Sequence, residues 1–305
     1  MASAYTQWDT LSNQFAEAAE KAGRSVVAVQ GGARLAASGI LWRAGIVITA
    51  SHMLRRAEEI TLLMPDKSES PATFAGRDPG TDLAILKIEG KSGSASIETA
   101  SSSALRVGQW VLGIGRSGLG DLAASAGIIA RLGSEWRTWR GGHLDRLIRP
   151  DITLYPGQSG SALVDSSGRF LGMNTSALAR GAAIAVPAAT INRVVDEILA
   201  HGHVFRPYLG IAMQPVELPQ ALVSELKINP IGLMVMNVEP GSPSAQAGIM
   251  LGDIITGVKG SHISGVEHLQ AALRELKRGD SLDLTYVRGG KTATASVKVA
   301  DRPQR

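Results

Sequence analysis

Tyr155-Pro156-Gly157-Gln158-Ser159-Gly160-Ser161-Ala162-Leu163-Val164 is the stretch that decides how this 305-residue chain is read. A serine flanked by glycines can sit on a sharply turned backbone, because glycine carries no Cβ. Such a turn exposes the hydroxyl and supplies N–H donors, from Gly157 and Ser159 themselves, where an oxyanion develops. Losing one such donor typically costs about 10²–10³ in rate. Alone, the stretch is equally a Gly/Ser-rich loop. The residues after the serine set the architecture: a strand over Ser161–Val164, an Asp-Ser-Ser-Gly turn, and a second strand over Phe170–Thr175. An α/β-hydrolase would place a helix after the serine and run Ser…Asp…His. That order is not the one found here.

Two further segments complete a constellation. Ile46-Val47-Ile48-Thr49-Ala50-Ser51-His52 is an apolar strand running into a small-residue turn that delivers a histidine, the side chain whose ordinary pKa suits a general base. Asp78-Pro79-Gly80-Thr81-Asp82-Leu83-Ala84-Ile85-Leu86-Lys87-Ile88 places Asp82 at the mouth of an apolar strand, where a carboxylate can accept Nδ1–H of a histidine. Asp78 is its rival, but precedes the turn. Each signal has a plain structural reading: a surface histidine, or an aspartate satisfying its own turn. The conjunction is stronger, because His52, Asp82 and Ser159 run in the chain order of the chymotrypsin architecture. His52 and Asp82 would come from one barrel and Ser159 from another.

Working outward, Phe15, Ala18, Ala19 and Ala22 lie at helical spacing and Gly23 ends the pattern. Short glycine-punctuated strands come next: Ser25–Gln30, Gly39–Trp42, Gly45–Thr49, Glu59–Met64, Leu83–Ile88, Trp110–Gly115, Gly127–Leu132 and Ala182–Val186. Strands at this spacing predict an all-β barrel or sandwich. Pro187 opens a helix with Ile191, Val194, Val195, Ile198 and Leu199 on one face, ending at His201-Gly202. From Arg206 a second module reads as strands Tyr208–Met213, Gly232–Val238, Ile254–Val258, Ser281–Arg288 and Thr292–Val299. Helices are expected around Ser244–Ala247 and over Val266–Leu276, an α+β arrangement. The boundaries predicted are 1–24 for an N-terminal segment, 25–202 for the first domain and 206–301 for the second.

Composition is that of a globular protein: 44% apolar and 19% charged residues, with 35 glycines and a net charge of +4. With no cysteine there is neither a disulfide framework nor thiolate chemistry. The basic cluster Arg131, Arg137, Arg140, Arg146 and Arg149, interleaved with Trp136 and Trp139, reads as a solvated loop rather than a nucleic-acid surface. His201-Gly202-His203 reads as a helix end, not a metal pair, and neither metal nor cofactor is expected. The N-terminus shows no secretory signal and no stretch approaches the ~20 apolar residues of a membrane span. The expectation is a cytoplasmic protein as written, or a periplasmic one if the N-terminus is trimmed.

The chain resembles the HtrA serine proteases over nearly its whole length. The residues that carry the likeness are the helix and strand Phe15–Gln30, the His motif Val47–Met53, the acidic segment Asp78–Lys87, Leu105–Gly115, the turn Ser125–Ala130, Pro150–Ser161 around the serine, and Ala183–Pro187. The resemblance implies a chymotrypsin-like double β-barrel with His52, Asp82 and Ser159 catalytic and the Gly157 and Ser159 amides as oxyanion hole. It implies a substrate pocket lined by Ile152, Thr153, Leu154, Ala183, Ile184 and Ala185, all but Thr153 apolar, hence a small or medium apolar residue at P1. Departures are Gln158 where Asn is usual, Ser161 where Gly is usual, and the unmatched segment Ser134–Leu147.

The second module resembles a PDZ domain, through Arg206–Ile211, Val238–Ala245, Ala247-Gly248-Ile249 and Gly252–Ile255. By that resemblance the amides of Leu209, Gly210 and Ile211 hold a peptide C-terminus, the strand from Tyr208 pairs with the peptide, and Val266–Leu276 forms the far wall. Homotrimer formation through Tyr5, Trp8 and Phe15 is likewise implied. The expected function is cleavage of unfolded or damaged proteins, with the PDZ groove binding or regulating. The competing expectation is a latent protease serving as a peptide-binding chaperone or scaffold.

Overall fold

The computed structural model describes residues 2–31, 36–54, 59–89, 96–101, 104–116, 118–179 and 182–302, with side chains from Thr6 onward. The chain divides into two compact units, 1–204 and 205–305. Unit one opens with helix α1 (Ala2–Gly23). Its first barrel comprises β1 (Val26–Gln30), β2 (Ala37–Arg43), β3 (Ile46–Ala50), β4 (Ile60–Leu63), β5 (Glu69–Asp78) and β6 (Leu83–Ile88), closed in the order β1-β2-β3-β6-β5-β4. The second comprises β7 (Trp110–Arg116), β8 (Leu122–Leu132), β11 (Ile148–Asp151), β12 (Ala162–Val164), β13 (Phe170–Thr175) and β14 (Ile184–Pro187), closed in the order β11-β14-β13-β12-β7-β8. Closure leaves no open edge, so strands with few charges stand safely in water. A small hairpin, β9 (Trp136–Arg137) with β10 (His143–Leu144), stands between β8 and β11.

Each barrel is filled by alternating side chains. Val27, Val29, Leu41, Val47, Leu62 and Leu86 fill the first, while Val111, Ile129, Ile148, Leu163 and Leu171 fill the second. Side chains on the opposite faces of the strands merge into one core shared by the barrels, which includes the edge-on pair Trp42 and Phe170 with ring centres 5.2 Å apart. Helix α2 (Ala188–His201) leaves the second barrel yet crosses back onto β5 and β6. Asn192 Oδ1 accepts from Trp42 Nε1 at 3.2 Å and Asp196 accepts from Arg43 at 2.5 Å, fastening the helix to the first barrel. Gly202, at φ 78°, ends α2 with its N–H on the Ile198 carbonyl, so the His201–His203 segment serves as a cap.

The small residues of α1 have a purpose the spacing alone did not disclose. Ala18 and Ala22 are buried, which lets the helix backbone approach the turn at Gly168. Phe15 packs on Trp110 with ring centres 5.9 Å apart, while Trp8 is exposed. The Tyr5 side chain lies outside the described residues.

Unit two contains β15 (Pro207–Tyr208), β16 (Ile211–Glu217), α3 (Gln220–Leu226), β17 (Ile231–Val238), α4 (Pro243–Gln246), β18 (Ile254–Val258), β19 (Ser261–His262), α5 (Val266–Arg274), β20 (Ser281–Arg288), β21 (Lys291–Lys298) and β22 (Ala300–Asp301). The main sheet runs β16-β17-β18-β20-β21, with β19 on β18. Leu233, Val235, Ile255, Leu269, Leu282, Leu284 and Val297 form its core. Helix α3 was not expected from the sequence: it has only 7 residues, too few for a helical period to stand out, and its Leu222, Val223 and Leu226 are only partly buried against Leu218, Ile228 and Val287. Likewise β5 and β11 escaped the reading, because β5 is largely polar and β11 contains Arg149 and Pro150. Among the described residues, no helix is long and apolar enough to cross a membrane.

Candidate active site

The acidic member comes first. After β5, Asp78 accepts from Gly80 N (3.2 Å), Thr81 N (3.3 Å) and Thr81 Oγ1 (2.8 Å), so the rival carboxylate is the one that builds the turn. The turn brings Asp82 to φ 58°, a left-handed conformation tolerated by aspartate better than by most residues. Asp82 is completely buried, and its partners account for both carboxylate oxygens. Oδ1 accepts the His52 backbone N–H at 2.9 Å. Oδ2 lies 2.7 Å from His52 Nδ1 and accepts Thr175 Oγ1 at 2.5 Å. With Nδ1–H engaged by the carboxylate, Nε2 is left as the basic nitrogen.

His52 sits in a single 3-10 turn, Ser51–Met53, after β3, and the Ser51 N–H donates to the Asp82 carbonyl at 2.9 Å. The histidine and aspartate are therefore locked by backbone as well as side chain. The β3–β6 pairing, with Ala50 opposite Leu83, carries both residues to one end of the first barrel.

The serine turn is brought to the same end. Gly157 and Gly160 take φ 85° and 90°. A Cβ on Gly160 would lie 2.1 Å from the Ser38 carbonyl oxygen and 3.1 Å from Ala50 N, so only glycine lets the turn seat between β2 and the strand leading to His52. Gly160 N donates to the Asn174 carbonyl at 2.8 Å and Ser38 N to the Ser159 carbonyl at 3.2 Å. The N–H groups of Gly157 and Ser159 have no protein acceptor among the described residues. Ser159 is nearly buried, and its hydroxyl lies 3.3 Å from Ser176 Oγ. No hydrogen bond joins it to His52 among the described residues.

The residues expected to line a pocket are divided. Ile152 packs beside Gly113 and Gly127, Thr153 is exposed and Leu154 is half-buried. Ala183, Ile184 and Ala185 are buried, with Thr175 paired to Ile184 and Asn174 to Ala185 across β13 and β14. The two groups extend from neighbouring strands, β11 and β14, paired at Ile148 and Ala185. Reasoning from sequence missed Ser38, Thr175 and Ser176. Asn174, Thr175 and Ser176 follow the apolar stretch Phe170–Met173, and a polar run in that place was the available signal.

Unit two presents a separate constellation. Gly210, at φ 76°, would carry a Cβ 2.2 Å from that of Ser242, so the Leu209-Gly210 turn is tightly seated. The Leu209 and Gly210 carbonyls accept from Ser244 N and Glu239 N, and their own N–H groups have no acceptor among the described residues. The next residue, Ile211, begins β16, which among the described residues pairs on one side only, with β17. Helix α5 lies beside this strand.

Residues 37–173 match the family model described as a trypsin-like peptidase domain, and 207–299 match a PDZ domain. The chain is 32% identical over 267 residues to the periplasmic serine endoprotease DegP of Escherichia coli, covering 85% of this chain and 55% of that protein. It is 31% identical to a probable DegP-like periplasmic endoprotease of Rhizobium meliloti, with 85% and 52% covered. Against the chloroplastic Protease Do-like 1 of Arabidopsis thaliana it is 30% identical, with 87% and 64% covered. The chain thus spans between half and two thirds of the length of these relatives. Among solved structures, it is similar to the HtrA-type protease AlgW with a decapeptide, at TM-score 0.74 and 25% identity over 95% of this chain and 99% of that one. A serine endoprotease from Yersinia pestis gives TM-score 0.74 and 27% identity over 95% and 98%.

Proposed function

We propose that this chain, which joins a trypsin-like peptidase domain to one PDZ domain as the HtrA proteases do, is a serine endopeptidase. The observation that carries the reading is the Asp82 carboxylate bound to both the ring and the backbone of His52, beside a serine turn with two unoccupied N–H groups. In the reaction, the Ser159 hydroxyl turns from Ser176 to His52 Nε2 and attacks the substrate carbonyl as its proton passes to the imidazole. Asp82 stabilises the imidazolium, and the Gly157 and Ser159 amides take the oxyanion. Collapse expels the amine, which leaves with the proton from His52. Water, activated by the same histidine, then attacks the acyl-enzyme and frees Ser159.

The substrates proposed are unfolded or damaged proteins, cut after a small or medium apolar residue. Ile152, Leu154 and the Ala183–Ala185 strand supply no carboxylate to hold Lys or Arg at P1. The Tyr208–Ile211 segment and β16 are proposed to take peptide C-termini by strand addition. A homotrimer built through Tyr5, Trp8 and Phe15 is part of this proposal, with Trp8 exposed and Phe15 packed on Trp110. So is a periplasmic location, since the bacterial relatives above are named periplasmic and nothing in them favours the cytoplasmic alternative. The relatives also favour proteolysis over the reading of a latent, PDZ-bearing scaffold.

The test is digestion of reduced casein by the wild type and by Ser159→Ala. Cleavage that the variant lacks is expected; equal turnover by both would sink the reading.

A further inference from the structure

Ser38 has no part in the chemistry above, yet this one residue of β2 holds the serine turn at two points. It is completely buried. Its N–H donates to the Ser159 carbonyl at 3.2 Å, and its hydroxyl lies 3.2 Å from the Gly157 carbonyl as donor. The same Oγ accepts from Arg116 N at 3.1 Å, which directs the single hydroxyl hydrogen toward Gly157 rather than the more distant Arg116 carbonyl at 3.5 Å. The Ser38 carbonyl in turn accepts Thr49 Oγ1 at 2.6 Å.

We propose that Ser38 is the positioning residue of the oxyanion hole: from the first barrel it pins the carbonyls on either side of Gln158, so that the Gly157 and Ser159 N–H groups stay aimed at the cleft. The proposal rests on the endopeptidase reading. Peptide units are planar, so each pinned carbonyl fixes the plane of its own unit; the Ser159 N–H belongs to the unit between the two pinned ones and the Gly157 N–H to the unit just before them, which narrows how far either can turn away. Gly157 itself, at φ 85°, has no side chain to hold it there. Gln158 ties the turn back to Tyr155 from within, and Ser38 adds a restraint from the other barrel. Alignment of the hole thereby depends on the packing of the two barrels.

The experiment uses the full chain carrying Ser38→Ala, a fluorogenic peptide taken from a casein cleavage site, and the matching peptide aldehyde, whose hemiacetal places its oxygen in the hole. A positioning role predicts kcat lower by about tenfold with KM within about twofold, a fraction of what losing a donor outright costs. Aldehyde affinity should weaken by the same factor, and the acid limb of the pH–rate profile should not move, because His52 and Asp82 are untouched. Unchanged kcat and aldehyde affinity would overturn the proposal, as would a loss confined to KM or a displaced acid limb. Should Ser38→Ala fail to melt cooperatively, Ser38→Cys decides instead. It keeps a side chain in the same place with only a weak S–H donor, and the same kinetic split is expected. Wild-type protein that neither cleaves nor binds the aldehyde would overturn the endopeptidase reading and this one with it. Active wild type with unaffected variants would overturn the role of Ser38 alone.

Discussion

Thr175 and Asp82 meet from opposite barrels: the threonine at the end of β13 donates its hydroxyl to Asp82 Oδ2 at 2.5 Å. That oxygen also faces His52 Nδ1, so the carboxylate orienting the histidine is itself oriented by the barrel that carries the serine. Thr175→Val keeps the shape and removes the donor. A buried hydrogen bond to a charged group contributes roughly 1.5–3 kcal/mol, and part of that should appear as a kcat about tenfold lower. Steady-state kinetics with KM recorded separately are the check, and wild-type kcat in the variant would refute the coupling.

The β9–β10 hairpin braces the turn that precedes Asp82. Thr138 Oγ1 donates to the Gly80 carbonyl at 2.7 Å and accepts Gly142 N at 3.0 Å. A Cβ on Gly142 would lie 2.1 Å from the Gly80 carbonyl carbon. Gly142→Val should therefore move the turn, lowering kcat far more than Thr138→Val does. A folded Gly142→Val enzyme with full activity would show that the brace is irrelevant to the site.

Gln158 closes the serine turn on itself, its Oε1 accepting Tyr155 N at 3.1 Å while its own N–H donates to the Tyr155 carbonyl at 3.0 Å. Gln158→Met fills the same space without an acceptor. The Tyr155 amide should then exchange with solvent faster, and kcat should fall. Amide exchange read by NMR or mass spectrometry tests the first effect independently of catalysis.

Arg116 is a stability device. Its guanidinium, buried between α1 and the second barrel, donates to the carbonyls of Val26 (2.7 Å), Gly120 (2.6 Å) and Gly23 (2.8 Å). Burial lowers its pKa from the usual arginine value, which does not discharge it at any ordinary pH. Arg116→Met leaves three carbonyls without that donor and should cost about 2–4 kcal/mol. Chemical denaturation is the measurement, and a loss below about 0.5 kcal/mol would contradict the assignment.

In unit two, Asp253 is buried and paired with Arg288 at 2.7 Å. Burial, the largest single influence, raises its pKa. The hydrogen bonds from Arg288 and from Met250 N, with the Arg288 charge, together outweigh it and hold the group below the ordinary carboxylate value. A lowered folded pKa contributes stability above the unfolded value near 3.9 that is lost as pH falls through the folded one. The melting temperature should therefore drop on acidification below about pH 4, and Asp253→Asn should start lower and depend less on pH there. Parallel acid profiles for the two proteins would count against the pair.

How much of this was legible beforehand differs from element to element. Strands of Val, Ile and Leu between glycines were readable because they are short, mostly apolar runs buried along their whole length, as in Ile46–Ala50 and Phe170–Thr175. The polar β5 and the weakly patterned α3 were not, because what holds them is pairing with distant segments. His52, Asp82 and Ser159 stood out because each occupies a local turn with a local signature.

By itself, then, the sequence determined a many-stranded β domain, an α+β module C-terminal to it and the three residues proposed for chemistry, since short apolar strands, turn glycines and residue order can all be read along the chain, while the double barrel and the PDZ groove came with the resemblance. Only the tertiary structure decided that Asp78 builds the turn while Asp82 meets His52, that Thr175 orients Asp82, and that Ser38 holds Gly157 and Ser159. The physical reason is one of range. Each of these relations is a hydrogen bond, and all but the turn at Asp78 join segments far apart in the chain. A hydroxyl or carboxylate in a sequence carries no mark of the partner that folding will bring within about 3 Å of it.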